Sequence, residues 1–223
     1  MFFIFQFISE HFLKYLMEHE KWTSDMKTAA VESLLRAEKE CIESNFKESS
    51  SDIDRFIKTD FSGTTAVICI IRDDYLLTLN VGDSRAIIVT EVGDDFTVTE
   101  LTRDHKPSIP EEKERILKAG GRVFNMEYED GYDGPARVWL ADQNIPGLAM
   151  SRSLCDTVAH TVGVISMPEI TERKLTDDER AIVIGSDGLW EFISSKEAIR
   201  LIQDCKDPEV GTYGVDVMMI GCC

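Results

Sequence analysis

Three aspartates stand beside small residues where strands are expected to end: Asp83 in Asn80-Val81-Gly82-Asp83-Ser84-Arg85, Asp156 after Ser151-Arg152, and Asp187 in Ser186-Asp187-Gly188. A carboxylate delivered at the end of a rigid strand is a preorganised oxygen ligand, and hard divalent cations take such ligands. Asp187 is the sharpest case. Ala181-Ile182-Val183-Ile184 is a short apolar, β-branched run that predicts a strand buried on both faces. The run stops at Gly185-Ser186-Asp187-Gly188, where Gly188 allows a sharp turn and Leu189, Trp190, Phe192 and Ile193 pin that turn against a core. Taken singly, each aspartate also has a plainer reading, as a capping or turn residue.

The composition suits cation chemistry and disfavours another class. The chain has 41 acidic and 24 basic residues, a formal net charge of -17 and a pI near 4.6. A nucleic-acid surface needs clustered Lys and Arg, so no nucleic-acid partner is expected. Most of the carboxylates are nonetheless ordinary solvated residues. The cysteines, Cys41, Cys69, Cys155, Cys205, Cys222 and Cys223, form no C-x-x-C pair and no zinc spacing. That points to a reducing compartment and an intracellular protein, cytoplasmic or nuclear. The apolar opening MFFIFQFI lacks a basic lead and a cleavage site and is too short to span a bilayer, so no transmembrane segment is expected. Cys222-Cys223 lacks the basic neighbourhood of a lipidation site.

The elements that must position these residues follow from periodicity. Phe5, Ile8, Phe12 and Leu16 fall at helical spacing, and a second helix is expected over 24–45 with Ala29, Ala30, Leu34, Leu35, Ala37 and Ile42 inward. A serine-rich turn at 48–52 follows it. The texture then becomes β-rich, with strands expected at 64–71, 75–81, 86–90 and 96–101, and their short connections imply antiparallel pairing of neighbours. Ser108 and Glu111 have capping-box spacing for a helix that Gly120-Gly121 ends; Ser194 and Glu197 open another, which Pro208 interrupts. Helices on either side of a β-rich middle make this an α+β layered domain.

Two further motifs complete a pattern: Ser62-Gly63-Thr64-Thr65-Ala66 upstream, and Asp104-His105-Lys106-Pro107 between Asp83 and Asp156. Five separated motifs in this order resemble the PPM-type, or type 2C, metal-dependent serine/threonine protein phosphatases. Gly134-Pro135-Ala136-Arg137-Val138-Trp139 and the run at 146–154 look most like the plant and protist members. The resemblance covers nearly the whole chain, as one domain over 1–223. It implies a two-layer antiparallel β-sandwich flanked by helix pairs. A binuclear Mn2+ or Mg2+ centre is implied at one end of the sheets. There a metal-activated water would attack the phosphorus of a phosphoprotein substrate.

Residue by residue, Asp187 matches the family's metal-ligating aspartate in Ser-Asp-Gly-Leu-Trp, with Ser186 and Gly188 beside it. Asp83 and Glu191 match positions associated with an additional, weaker metal; Glu191 replaces the usual aspartate, and Asp83 reads equally as a hairpin-turn residue. Asp156 and Arg152 match the Ser-Arg-x-x-Gly-Asp motif, where Cys155 replaces the glycine; if that position needs positive φ, cysteine costs about 1 kcal/mol or more. His11 and His19 are read as surface residues of the first helix and His105 as structural, and neither they nor His160 is assigned a catalytic role.

The family's upstream acidic motif and its Asp-Gly-His-Gly-Gly motif have no match here, so the metal-bridging aspartate, the general-acid histidine and the phosphate-binding arginine would lie before Met1. The closing Asp-Asn strand is missing or degraded, with Asp216 in the stretch 214–220 as a conceivable remnant. Residues 2–7 also read as a start imposed by an incomplete gene. The expectation is a site with Asp187 facing Asp83 and Asp156, exposed strand edges, and weak or no activity, with a catalytically deficient interaction module of the same fold as the alternative.

Overall fold

The computed structural model of the protein describes residues 2–44, 59–127, 133–203 and 216–220. The turn expected at 48–52, Pro208, Cys205, Cys222 and Cys223 lie outside the described residues. In chain order the elements are α1 (Phe2–Glu18), α2 (Met26–Ser44), β1 (Gly63–Thr64), β2 (Ala66–Arg72), β3 (Tyr75–Val81), β4 (Arg85–Val92), β5 (Asp95–Glu100), α3 (Pro110–Lys118), β6 (Arg122–Glu127) and β7 (Asp133–Trp139). They continue with β8 (Pro146–Leu148), β9 (Leu154–Cys155), α4 (Thr157–His160), β10 (Glu169–Lys174), β11 (Glu179–Gly185), α5 (Asp187–Trp190), α6 (Ser195–Gln203) and β12 (Asp216–Ile220). No helix among the described residues is long and apolar enough to cross a membrane.

The chain divides into two compact units: Met1–Thr65 with His105–Met167, and Ala66–Asp104 with Pro168–Cys222. The second unit is the β-sandwich. One sheet runs β10-β3-β2-β12 and the other β11-β4-β5, every neighbour antiparallel. Val67, Cys69 and Leu76 from the first sheet meet Ala86 and Ile88 from the second, with Ile182 and Ile184 of β11 against the same core. In β2, β3 and β4 consecutive residues are buried, Ala66–Ile70, Leu76–Val81 and Ala86–Val89, so both faces of these strands are covered, one of them by the facing sheet.

Two expectations change here. β3 and β4 do not form a hairpin: they belong to different sheets, and Gly82-Asp83-Ser84 carries the chain from one to the other, with Gly82 at φ 103. A short connection forces antiparallel pairing only when both strands stay in one sheet. β11 is not buried on both faces either. It is the edge strand of its sheet among the described residues, bonded to β4 alone, and Ala181 to Ile184 are half-buried.

The first unit holds the helix pair. Ile4, Ile8, Phe12 and Leu16 of α1 and Ala29, Ala30, Leu34 and Ala37 of α2 are fully buried, each of the larger ones contributing about 1.5–3 kcal/mol. Asp25 stands just before α2, and its carboxylate accepts from the Thr28 backbone N–H (3.1 Å) and hydroxyl (2.6 Å). His19 lies past the end of α1, where its Nε2 meets Glu32 Oε2 at 3.0 Å. Half-buried His11 stacks on Phe7 with ring centroids 3.9 Å apart, rather than lying free on the surface.

The unit also contains a three-stranded sheet, β6-β7-β8, and the short ladder β1-β9. Ile116 of α3, Val138 of β7, and Ala159, Val162 and Val164 form its second core. α3 has no capping box at Ser108: Ile109 is the N-cap, without a side-chain bond, and Pro110 opens the helix. Proline suits that place because its missing N–H would have had no helical partner. The Ser194/Glu197 box forms as expected, with Ser194 N–H donating to Glu197 Oε2 at 2.8 Å and Glu197 N–H to Ser194 Oγ at 3.2 Å.

Candidate metal site and the motifs that support it

Asp83 and Asp187 come together through strand register. Arg85, which opens β4, is the antiparallel partner of Gly185, which closes β11. Asp83 lies two residues before the one and Asp187 two residues after the other, so both leave the same end of the same strand pair. Asp83 is buried, at 5% exposure, and Asp187 is half-buried as the first residue of α5. One Asp187 oxygen accepts the Gly188 N–H at 2.8 Å. Glu191, at the C-cap of α5, is exposed, and its N–H donates to the Asp187 carbonyl at 2.8 Å. It therefore sits one helical turn beyond Asp187.

The turn is held differently from the sequence expectation. Gly188 has ordinary helical backbone, and a Cβ there would touch only Ser186 Oγ at 3.5 Å. Ser186 is the N-cap without a side-chain cap bond. The glycine that matters is Gly185, where a Cβ would fall 2.6 Å from Leu189 Cδ2 and 3.1 Å from Trp190 Nε1. Its absence lets Trp190 fold back, and the indole N–H reaches the Gly185 carbonyl at 2.9 Å and the Arg85 carbonyl at 3.1 Å. Trp190 thus ties the Asp187 turn to the strand that begins just after Asp83. Phe192 takes no part in pinning the turn, being 81% exposed.

Arg85 is clamped from the other side. Asp104 accepts from its Nε at 2.9 Å and its Nη2 at 2.8 Å, a bidentate pair, while Nη1 reaches Ser195 Oγ at 3.3 Å. Hydrogen bonding to Asp104 raises the Arg85 pKa further above its ordinary value. Asn80 adds a bond from Nδ2 to the Arg103 carbonyl at 2.9 Å. Three motifs that are far apart in sequence, around Asp83, Asp104 and Asp187, therefore form one braced end of the sandwich.

Asp156 and Arg152 belong to the other unit and are held by different partners. β1 pairs with β9 so that Gly63 faces Cys155 and Thr64 faces Leu154. The Asp156 N–H donates to the Ser62 carbonyl at 3.1 Å, and a Cβ on Gly63 would lie on the Asp156 carboxylate itself. Glycine at 63 is thus a requirement of the Asp156 side chain. Cys155 and Asp156 both have positive φ, 67° and 46°. Asp156 is 8% exposed, and burial pushes its carboxyl above the ordinary carboxylate range.

Arg152 is committed to structure. Its Nη2 meets Glu112 Oε1 at 2.7 Å, its Nη1 donates to the Met167 carbonyl at 3.0 Å, and Arg115 and Ser151 bind the same glutamate. Burial pushes the Glu112 carboxyl up, but the bonds from Arg115, Arg152 and Ser151 outweigh it and hold the group well below the usual range. Sequence reading missed Glu112, whose only signal was its place four residues before Ile116, on the one face of α3 that is buried. His105 is fully buried and its carbonyl accepts the Ser151 N–H at 2.9 Å, a structural place. His160 Nε2 meets the Ser153 carbonyl at 3.0 Å, and burial lowers its pKa.

Asp216 is not near the aspartate pair. It faces Ile71 in the β12–β2 ladder, whereas the Asp83 end of β2 is marked by Ala66 opposite Val81. Five residues of strand separate the two ends, about 17 Å. Among the described residues, no group of three or more His, Cys, Asp or Glu side chains converges where a metal ion could sit.

The family profile for Protein phosphatase 2C matches residues 3–210. "Probable protein phosphatase 2C 73" of Oryza sativa subsp. japonica is 38% identical over 197 residues, covering 87% of this chain and 46% of the relative. "Probable protein phosphatase 2C 12" of the same plant is 44% identical over 149 residues, 66% of this chain and 37% of the relative. The chain thus spans less than half the length of these relatives. Among solved structures, the serine-threonine phosphatase 2C from Toxoplasma gondii superposes with a TM-score of 0.74 at 20% identity, over 89% of this chain and 68% of that one. The likeness establishes a shared α+β fold.

Proposed function

The chain belongs to the protein phosphatase 2C family, and from that premise we propose that it serves the metal-dependent hydrolysis of phosphoserine and phosphothreonine in proteins, inside the cell. The observation that carries this reading is the placement of Asp83 and Asp187 at one sheet end through the Arg85–Gly185 register. Two carboxylates there offer the hard oxygen donors that manganese or magnesium takes. In this reading Asp187 and Asp83 would hold the ion, with Glu191 one turn on at a weaker additional position. Bound there, a binuclear centre would supply a water acidic enough to act as the nucleophile near neutral pH. The chain's own work is positioning. Trp190 fixes where the Asp187 turn leaves β11, and the Arg85–Asp104 clamp fixes where β4 begins, so both carboxylates start from rigid backbone. We read residues 1–223 as part of one phosphatase domain.

A second reading, a catalytically deficient module of the same fold, is favoured by one observation: among the described residues no three metal-capable side chains converge. Two measurements on the 223-residue protein separate the readings: manganese binding by calorimetry, and manganese-dependent release of phosphate from a phosphothreonine peptide. Weak manganese binding that Asp187→Asn removes supports the metal assignment. Phosphate release that Asp187→Asn also abolishes makes the chain a working phosphatase and rejects the deficient reading. Binding unchanged by both Asp187→Asn and Asp83→Asn sinks the site.

A further inference from the structure

Two buried thiols lie in the unit that holds the helix pair. Cys41 lies on α2 and Cys155 closes β9; both are fully buried, and β9 packs against α2. Glu38 accepts the Cys155 backbone N–H at 2.8 Å. Glu38 precedes Cys41 by three residues, so the two occupy one face of α2 a turn apart. Cys155 is thereby anchored close to the face of α2 that carries Cys41. The backbone at Cys155 is left-handed, with φ 67, a conformation that residues bearing a Cβ adopt only at a cost. A position that glycine fills most easily here carries a buried thiol on the strand that packs against the helix of Cys41. Cys69 differs: it lies in the other unit, against Thr78 Oγ1 at 3.8 Å, with no thiol partner among the described cysteines.

We propose that Cys41 and Cys155 form a reversible intramolecular disulfide, a peroxide-oxidised site that ties α2 to the loop carrying Asp156. Either thiol can begin the reaction, which is written here with Cys41 as the attacking sulfur, ionised before it attacks. Its thiolate attacks one oxygen of hydrogen peroxide and breaks the O–O bond. Cys41 becomes a sulfenic acid, and the departing hydroxide takes up the proton lost on ionisation to leave as water. The Cys155 sulfur then attacks the sulfenic sulfur and displaces hydroxide, which leaves with the Cys155 proton as a second water. Two thiols give up two electrons, and one peroxide becomes two waters. A dithiol reductant reverses the bond by exchange. Both sulfurs are closed to solvent, so oxidation runs through local opening and is slower than at an exposed thiol.

The test uses the 223-residue protein. It is exposed to excess hydrogen peroxide, remaining thiols are alkylated, and a tryptic digest made without reductant is read by mass spectrometry. Cleavage after Lys39, Lys47, Arg152 and Arg173 places the two cysteines in separate peptides, 40–47 and 153–173. The expected product is these two peptides joined with the loss of two hydrogens, released by dithiothreitol and absent from Cys41→Ser. Recovery of both peptides as alkylated free thiols, after peroxide has consumed the other cysteines, overturns the proposal. Pairing of Cys41 or Cys155 with Cys205, Cys222 or Cys223 instead overturns it equally.

Discussion

Replacing Glu112 by glutamine removes one charge while conserving shape, and the structure sets the size of the effect. Glu112 is 1% exposed; it takes two bonds from Arg115 at 2.8 and 2.7 Å, one from Arg152 Nη2 at 2.7 Å with longer contacts from Arg152 Nε at 3.2 and 3.3 Å, and one from Ser151 at 2.6 Å. Glutamine keeps one acceptor oxygen and puts an NH2 against groups that are themselves donors. Neutralising one partner of a buried ion pair costs about 3–5 kcal/mol. Arg115 keeps the Gly163 and Ser151 carbonyls, Arg152 keeps that of Met167, and both arginines retain some solvent exposure, so the lower end, about 3 kcal/mol, applies here. In a chain of this length each kcal/mol moves Tm by roughly 2–4 °C, giving a fall of about 6–12 °C. The Glu112 pKa is depressed from an ordinary 4.5 in the folded state. Its contribution is therefore complete above that value and drains away as pH falls toward the folded pKa. Circular-dichroism melts should show the gap between native and variant widest near neutral pH and narrowing below about pH 4.5. A gap under about 2 °C at neutral pH, or one that widens on acidification, would refute the charge-cluster account.

Glu38 calls for the opposite sign: burial raises its carboxyl pKa against lowering bonds from Ser166 and the Cys155 N–H. Glu38→Gln should therefore raise Tm at mildly alkaline pH, with the gain disappearing as pH falls below the ordinary carboxylate value and the native side chain becomes neutral. Gly63→Ala places a methyl on the Asp156 carboxylate and should cost about 1–3 kcal/mol in urea unfolding; a neutral result would mean that Asp156 is not packed against Gly63. Gly185→Ala should cost a similar amount through Leu189 and Trp190, whereas Gly188→Ala should stay within about 0.5 kcal/mol. Reversal of that order would overturn the description of the Asp187 turn.

The helix pair and most strands were legible because their patterns are local. Ile8, Phe12 and Leu16 announce a helical stripe, and the apolar and β-branched runs 64–71 and 75–81 announce a hairpin, which the structure pairs from Ala66–Val81 to Arg72–Tyr75. What sequence could not reveal is which sheet a strand joins. Gly82-Asp83-Ser84 has the residues of a tight turn, and only the packing of Val67 and Leu76 against Ala86 and Ile88 shows that the chain there changes sheets. The same limit explains β11. A run of Ala, Ile, Val and Ile looks alike whether both faces or one is covered, since hydrophobicity reports burial and is blind to the identity of the neighbour.

The aspartates of the candidate site were found by their small neighbours, yet the reason for those neighbours lay elsewhere in the chain. Gly63 is small because Asp156, more than ninety residues later, needs the space; Gly185 is small because Trp190 must close over it. Gly188, the glycine nearest Asp187, has little packing to avoid. A glycine in a motif thus marks where two distant segments come within contact, and it need not mark where the chain bends. The positive φ expected at Cys155 belongs to the same logic: the backbone there is set by the β1–β9 ladder and by the Asp156 N–H on the Ser62 carbonyl. Cysteine on that backbone sets a thiol on the strand that packs against α2. The strain at 155 is therefore a cost imposed by the position of Asp156, and it persists whether or not the sulfur has a use.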